Sequence, residues 1–327
     1  MKACREGGRV VKSMMVALGG NAILRYKDRG TAEEQLRNVR RTAATLVDMV
    51  KEGRMIAVTH GNGPQVGDII LKNELAKGRL PMMPVDICGA ESQGMIGYML
   101  QQSLRNELED KDMDIPVATV ITQTVVNPND PSFERPEKPI GPYYTKEEAE
   151  QIIAEKGWSM MEEPGRGHRR VLPSPRPLDI IESDIIRKMF DSGTIVIAGG
   201  GGGVPVVRDI DGRLKGIEAV VDKDHTAELL ATCLGVDTLL ILTDVDNAYV
   251  DHERPGRRPI GKIGTREARK LLSEGHFGKG SMRPKVEAAI DFVEAGGRLC
   301  IITSPERARD ALRGEAGTIV LNDVDVR

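Results

Sequence analysis

The chain has 327 residues, 40% hydrophobic and 29% charged, which is enough for a large core or two lobes. A net charge of −3 excludes a generally basic surface that coats nucleic acid, so any anion site is local. Aromatics at 3% argue against base-stacking platforms, whereas 36 glycines leave ample material for glycine-rich loops.

Residues 1–13 hold Lys2, Arg5, Arg9 and Lys12 but no apolar stretch of signal-peptide type, and they read as an extra leader. Met14 to Leu18 forms a short buried strand ending in Gly19-Gly20-Asn21. Thr31 to Lys51 has helical periodicity, with Leu36, Val39, Ala43, Leu46, Val47 and Val50 on one side and Gly53 as a stop. Met55 to Thr59 is a second apolar run, leading into His60-Gly61-Asn62-Gly63-Pro64. Helices are predicted over 65–76 and 89–107, and a strand over Val117 to Ile121. This alternation belongs to an α/β fold around a mainly parallel sheet.

Residues 125–178 break the pattern with Pro128, Pro131, Pro136, Pro139, Pro142, Pro164, Pro173, Pro175 and Pro177. A helix is predicted over Lys146 to Lys156, and Ile152, Ile153 and Trp158 offer something to bury. An inserted, protruding lid subdomain therefore fits better than a disordered linker. The alternation then restarts. Thr194 to Ala198 is a strand ending in Gly199 to Gly203, and residues 224–234 are helical. Leu239 to Leu242 is a strand ending in Thr243-Asp244-Val245-Asp246. Arg266 to Ser273 and Lys285 to Ala295 are helices, and Leu299 to Ile302 is a late strand. The expected division is a first half over 14–192, which includes the lid, and a second half over 193–327.

Cys4, Cys88, Cys233 and Cys300 are far apart and form no CxxC pair, which favours reduced thiols over zinc or a disulfide framework. No apolar run approaches the ~20 residues of a membrane helix. The expected location is the cytoplasm, with no membrane and no nucleic acid among the partners.

Three strands end in glycine-rich turns: Gly19-Gly20-Asn21, Gly61-Asn62-Gly63 and Gly199 to Gly203. Strand C-termini of an open parallel sheet share one edge, where ligands bind. Glycine lets backbone N–H groups approach an anion, and a following helix adds its positive end. One such turn is as readily explained by βα geometry alone; three together point to a polyanion. None is a Walker A motif, none has the third glycine of a dinucleotide fingerprint, and the protein-kinase motif set is absent.

A phosphoryl group held there needs neutralising charge. The candidates are Lys138, Lys223 and Lys285, all placed in turns. A lysine in a turn is ordinarily a solvated surface charge. Lys223 stands out by lying between Asp222 and Asp224 after an apolar run, and Lys285 by opening a helix, where a cation opposes the macrodipole. Asp244 and Asp246 follow a buried strand and are readable as metal ligands, lysine partners or turn caps. The histidines show no metal spacing, and His60 alone stands where it would line the site.

These pieces resemble the carbamate kinases of the amino acid kinase superfamily. The resemblance rests on residues 16–22 (VALGGNA), 59–66 (THGNGPQV), 138–143 (KPIGPY) and 165–175 (GRGHRRVLPSP). It continues through 200–206 (GGGGVPV), 218–224 (EAVVDKD), 243–249 (TDVDNAY) and 281–288 (SMRPKVEA). It implies an open three-layer αβα sandwich, a homodimer, and a first half for carbamate with a second half for ATP or ADP. It implies that Lys138, Lys223, Asp224 and Lys285 do the catalytic work. Gly19, Gly20, Asn21, Gly61, Asn62, Gly63, Gly200 and Gly201 would bind substrate and phosphate. Thr243, Asp244, Val245, Tyr249, Ser281, Met282 and Pro284 would line the nucleotide site. Mg²⁺ would arrive with the nucleotide, held by its phosphates and not by protein ligands alone. Two residues depart from the pattern: Arg283 stands where a small residue is expected, and His168 where a Trp is expected.

The implied activity is reversible phosphoryl transfer between ATP and carbamate. Its rivals are a kinase of the same superfamily acting on an amino acid carboxylate or UMP, a non-catalytic nucleotide sensor on the same scaffold, and a dinucleotide-binding oxidoreductase.

Overall fold

The computed structural model describes residues 5–6, 9–10, 12–25, 28–163, 165–251, 257–278 and 282–326, with the backbone alone for 5, 6, 9, 10 and 21. Within the expected leader, Arg5–Glu6 and Arg9–Val10 pair antiparallel, and the first strand of the main sheet begins at Lys12.

In the strands Lys12–Leu18 and Thr238–Leu242, residues 14–18 and 238–242 are buried on both faces, as central parallel strands must be. They pair in register, Met14 with Thr238 and Leu18 with Leu242. Around them runs an eight-stranded sheet in the order 262–264, 318–321, 299–303, 238–242, 12–18, 54–60, 195–197, 117–119. Six of these strands are mutually parallel, while Thr318–Leu321 and Lys262–Gly264 run the other way.

Alternate residues of each strand enter different cores. Met15, Ala17, Leu239 and Ile241 pack with the helices Lys223–Leu234 and Met282–Glu294. Met14, Val16, Leu18, Leu240 and Leu242 pack with Ala32–Lys51 and Val85–Glu109. The result is the expected αβα sandwich with a mainly parallel centre. Ala32–Lys51 opens with a capping box, in which Thr31 accepts from the Glu34 amide and Glu34 answers the Thr31 amide.

Lys138–Tyr144, Gly167–Leu172 and Met160–Glu163 form a three-stranded antiparallel sheet, joined by the helix Lys146–Lys156, which Gly157 ends at φ 65°. Its foot is a small core of Ile140 and Leu172 against Val66, Ile69, Ile70, Val85 and Cys88. His168 takes its place in this sheet opposite Tyr144 and Glu162, so a histidine there is compatible with the strand pairing. The ends of the expected insertion behave differently. Gln123–Val126 and Pro177–Ile180 pair with each other, and Gln123–Val126 also pairs with Val204–Arg208, in a separate four-stranded sheet. Ile195–Ile197, just past the expected division at residue 192, lies between Arg54–His60 and Val117–Thr119 and so sits among strands of the first half. Among the described residues no helix is long and apolar enough to cross a membrane.

Candidate active site

Register decides which loops meet. Leu18 pairs with His60 and Leu242, and Leu242 with Thr303, so Gly19, Gly61, Thr243 and Ser304 leave the sheet side by side. Gly19 is squeezed in this row: a Cβ there would lie 2.7 Å from the Leu242 carbonyl oxygen, whereas one on Gly20 would meet nothing within 4 Å. Gly20 to Ala22 make a 3-10 turn, and Asn21 contributes only its backbone to the described structure. The Gly61 amide donates to the Leu18 carbonyl at 3.0 Å. A Cβ on Gly61 would stand 3.7 Å from the Gly20 nitrogen and 3.5 Å from Lys223 Cδ, which puts the first two glycine turns and one lysine in a single place. Gly63 then opens the helix Gly63–Ala76, with Pro64 in its first turn.

Gly200 and Gly201 stand against the second turn. The space where their Cβ atoms would lie is filled by the His60 ring, 2.4 Å from the Gly200 position, and by the Asn62 amide, 2.1 Å from the Gly201 position. Asn62 is itself held by donation to Ser92 Oγ at 2.8 Å. His60 is 1% exposed, and its Nδ1 lies 3.0 Å from the Gly61 carbonyl, which requires the Nδ1–H tautomer. Burial, aided by the nearby Lys223 charge, lowers its pKa to about 4.

Asp224 lies in the first turn of Lys223–Leu234 and is 2% exposed. One of its oxygens accepts from Lys223 Nζ at 2.7 Å and the other from Lys285 Nζ at 3.0 Å. Lys285 is 8% exposed and projects from Met282–Glu294, a helix that starts three residues before it, so Lys285 does not open the helix as expected. Burial opposes the charge on all three groups, and the outcomes differ. The Asp224 carboxyl falls below its ordinary value because Lys223 and Lys285 outweigh its burial. The Lys285 ammonium rises because Asp224 outweighs its burial. The Lys223 ammonium falls, since burial and the like charge of Lys285 prevail over Asp224. Asp244 also acts on Lys285, which ties the Thr243–Asp244 turn to the cluster.

Lys138 arrives from the protruding subdomain, and its Nζ donates to Asp222 Oδ2 at 2.8 Å. Burial pushes the Asp222 carboxyl up, but Lys138 and the other cations around it carry it well below the usual range. Asp222 also caps the helix by accepting from the Asp224 amide at 2.9 Å. Sequence reasoning did not place Asp222 in the site. An Asp directly before a helix was the available signal, hidden by starting that helix one residue late. Lys138 pairs with Asp222, and Lys223 and Lys285 share Asp224.

In the turn expected to line a nucleotide site, the Thr243 amide donates to the Thr303 carbonyl at 2.9 Å, and Val245 is half-buried. A cavity of about 390 Å³ adjoins them, lined in part by Ala22, Thr42, Thr243, Asp244 and Ser304. A larger cleft of about 480 Å³ has Asp246, Asn247, Lys262 and Arg307 in its lining and none of the three lysines. Asp246 accepts from Ser304 Oγ at 2.5 Å. Tyr249 pairs antiparallel with Pro259, with the Arg257 guanidinium 4.9 Å from its ring centre. Met282 begins its helix and packs on the core, and Pro284 falls in the first turn, where a missing N–H costs nothing. Ser281 lies outside the described residues. Arg283 turns along its own helix to Glu287, with Nε 2.9 Å from the carboxylate.

Two glycine turns and a buried lysine–aspartate cluster at the C-terminal edge of a mainly parallel sheet define a polyanion-binding α/β protein of the phosphotransferase kind. The sequence profile of the amino acid kinase family matches residues 12–304. The carbamate kinase of Thermococcus kodakarensis is 48% identical over 316 residues, 96% of this chain and 100% of that protein. That of Clostridium perfringens is 47% identical over 312 residues, 94% of this chain and 99% of that protein. The chain belongs to the amino acid kinase family and, within it, to the carbamate kinases. Among solved structures, carbamate kinase from Giardia lamblia bound to AMP-PNP superposes with a TM-score of 0.90 at 43% identity, covering 96% of this chain and 99% of that one.

Proposed function

We infer that this chain transfers the γ-phosphoryl group reversibly between ATP and carbamate, giving ADP and carbamoyl phosphate. The observation that carries the reading is the placement of Lys223 directly against Gly61 while Asp224 ties it to Lys285. Carbamate is already an anion with a nucleophilic oxygen, so no general base is needed. Its oxygen forms a bond to the γ-phosphorus as the bond to the bridging oxygen breaks, and that electron pair leaves on ADP. What remains for the protein is to hold two repelling anions in line and to spread the charge of the transferring group.

In this reading the amides of Gly19, Gly20, Asn21 and Gly63 cradle carbamate and the phosphoryl group, while Gly61, whose amide is held by Leu18, lets Lys223 approach without a side chain in the way. Lys223 and Lys285 neutralise its oxygens, and Asp224 aims both ammonium groups. Gly200 and Gly201 admit His60 and Asn62 and so hold the second turn in shape. Lys138 comes in with the lid and exchanges Asp222 for phosphate oxygen. The nucleotide lies along Thr243, Asp244, Val245 and Tyr249 and the start of the helix at Ser281 to Pro284. Mg²⁺ would come with the nucleotide, held by its phosphates and not by protein ligands alone, and would neutralise phosphate charge. A homodimer is part of the reading, with the exposed Ile87, Tyr98 and Ile121 as a candidate contact. So is a cytoplasmic location, in keeping with free thiols at Cys88, Cys233 and Cys300.

The test is to add ADP and carbamoyl phosphate and measure ATP by luciferase. ATP formation is expected. In the reverse direction, ADP release from ATP is expected with carbamate and not with glutamate, aspartate or UMP. Absence of ATP, or a preference for one of the other acceptors, overturns the reading.

A further inference from the structure

Arg176 lies where the chain leaves the protruding subdomain, between Pro175 and Pro177, whose rings restrict the backbone on either side. Its amide donates to Asp130 Oδ2 at 3.3 Å, and Asp130 stands where the chain enters that subdomain. Its guanidinium leaves the subdomain altogether. Nη1 is 3.0 Å from His225 Nδ1 and 3.1 Å from Asp291 Oδ2, and Nη2 is 3.2 Å from Glu287 Oε2. A guanidinium only donates, so His225 Nδ1 accepts and the ring proton sits on Nε2, which faces Glu287 at 3.4 Å. Glu287 takes Arg283 on its other oxygen.

The positions of these partners matter. His225 follows Asp224, and Glu287 is two residues beyond Lys285. The same two helices are therefore joined twice near their N-terminal ends, once by Asp224 with Lys285 and once by His225 with Glu287. Arg176 closes over the second junction. Two other cations of the subdomain also end on carboxylates of the body, Lys138 on Asp222 and Arg170 on Glu218. Hydrogen bonding to His225 and Arg283, with the nearby Arg176 charge, outweighs burial and holds Glu287 at about 2, so it is ionised throughout the working pH range.

We propose that Arg176 is a positioning residue, which sets the subdomain, and Lys138 with it, against the helices that carry Lys223, Asp224 and Lys285. The role rests on the phosphoryl-transfer reading above. Arg176 touches none of the reacting groups, and its side chain is 51% exposed. Exposed ion pairs add little to stability, so the fold survives its loss while the geometry between subdomain and body does not.

Arg176→Ala and Arg176→Lys are compared with wild type in the ADP plus carbamoyl phosphate assay, and ADP affinity is measured separately by calorimetry. The Ala variant is expected to lose about tenfold or more in kcat/KM for carbamoyl phosphate, because Lys138 is misplaced, while its ADP affinity stays within about twofold. The Lys variant falls between, since a single ammonium cannot span His225, Glu287 and Asp291 together. Should the Ala variant not fold, Arg176→Lys and Glu287→Gln carry the same comparison. Unchanged kcat/KM overturns the proposal, and so does a loss of ADP affinity as large as the kinetic loss. A wild-type chain that makes no ATP overturns the functional reading and takes this role with it.

Discussion

Lys285 Nζ lies 3.0 Å from Asp224 Oδ2, although 61 residues separate the two along the chain. The contact places a second ammonium group beside Lys223, where two like charges would otherwise repel. Asp224 bridges the pair and offsets much of the cost of burying two like charges together.

Replacing Asp224 by Asn keeps the shape and removes the shared charge. Removing the carboxylate that bridges two buried ammonium groups is expected to destabilise the fold by about 3 kcal/mol. Turnover should fall at least about a hundredfold. Chemical denaturation and the luciferase assay measure the two effects, and near-normal values in both would refute the bridging role.

Lys223→Ala and Lys285→Ala remove one cation each. The expected loss in kcat is about a hundredfold or more for either, comparable to the loss of one oxyanion donor. Circular dichroism establishes that the variants fold. A folded variant with normal turnover eliminates that lysine from the chemistry.

Gly19→Ala and Gly20→Ala form an internal control. A methyl group at residue 19 would press on the Leu242 carbonyl at 2.7 Å, and backbone there has little room to yield. The expected cost is about 1–3 kcal/mol, read as a lower thermal midpoint. At residue 20 the methyl group meets open space, so the midpoint should hold while substrate KM rises. Equal midpoints for both variants would contradict the close approach of the two strand ends.

Stability should fall in two stages on acidification. His60 has a folded-state pKa of about 4, against about 6.5 for the free side chain, so between these values the unfolded chain binds a proton that the native one refuses. Stability therefore declines as pH falls from about 6.5 to 4, by roughly 3 kcal/mol in all. Asp222 and Asp224 are depressed below their ordinary carboxylate values, so their contribution is intact above about pH 4 and is lost as pH drops further. Urea midpoints across pH 7 to 3 follow both stages. A flat profile from 6.5 to 4 would mean that His60 is not held neutral.

The helices, the buried strands and the glycine turns were legible because each is a local pattern. Apolar runs bounded by glycine imply strands ending at one sheet edge, and the spacing of Leu36, Val39, Ala43, Leu46, Val47 and Val50 implies the helix that Ala32–Lys51 forms. The flanking of Lys223 by two aspartates was equally local, and so was the resemblance carried by the loop motifs.

Partnership across the fold was not legible. Lys138 and Asp222 are 84 residues apart, and they meet because the subdomain docks on Val66, Ile69 and Val85. The residues that fill the space against Gly200 and Gly201, the turn of Arg283 toward Glu287, and the grip of Arg176 on His225 are likewise contacts between distant segments or choices of rotamer. Sequence by itself determined which groups of charge and which flexible turns this protein possesses. Tertiary structure decided which carboxylate each ammonium faces, because strand register and helix packing set those distances and no run of neighbouring residues encodes them.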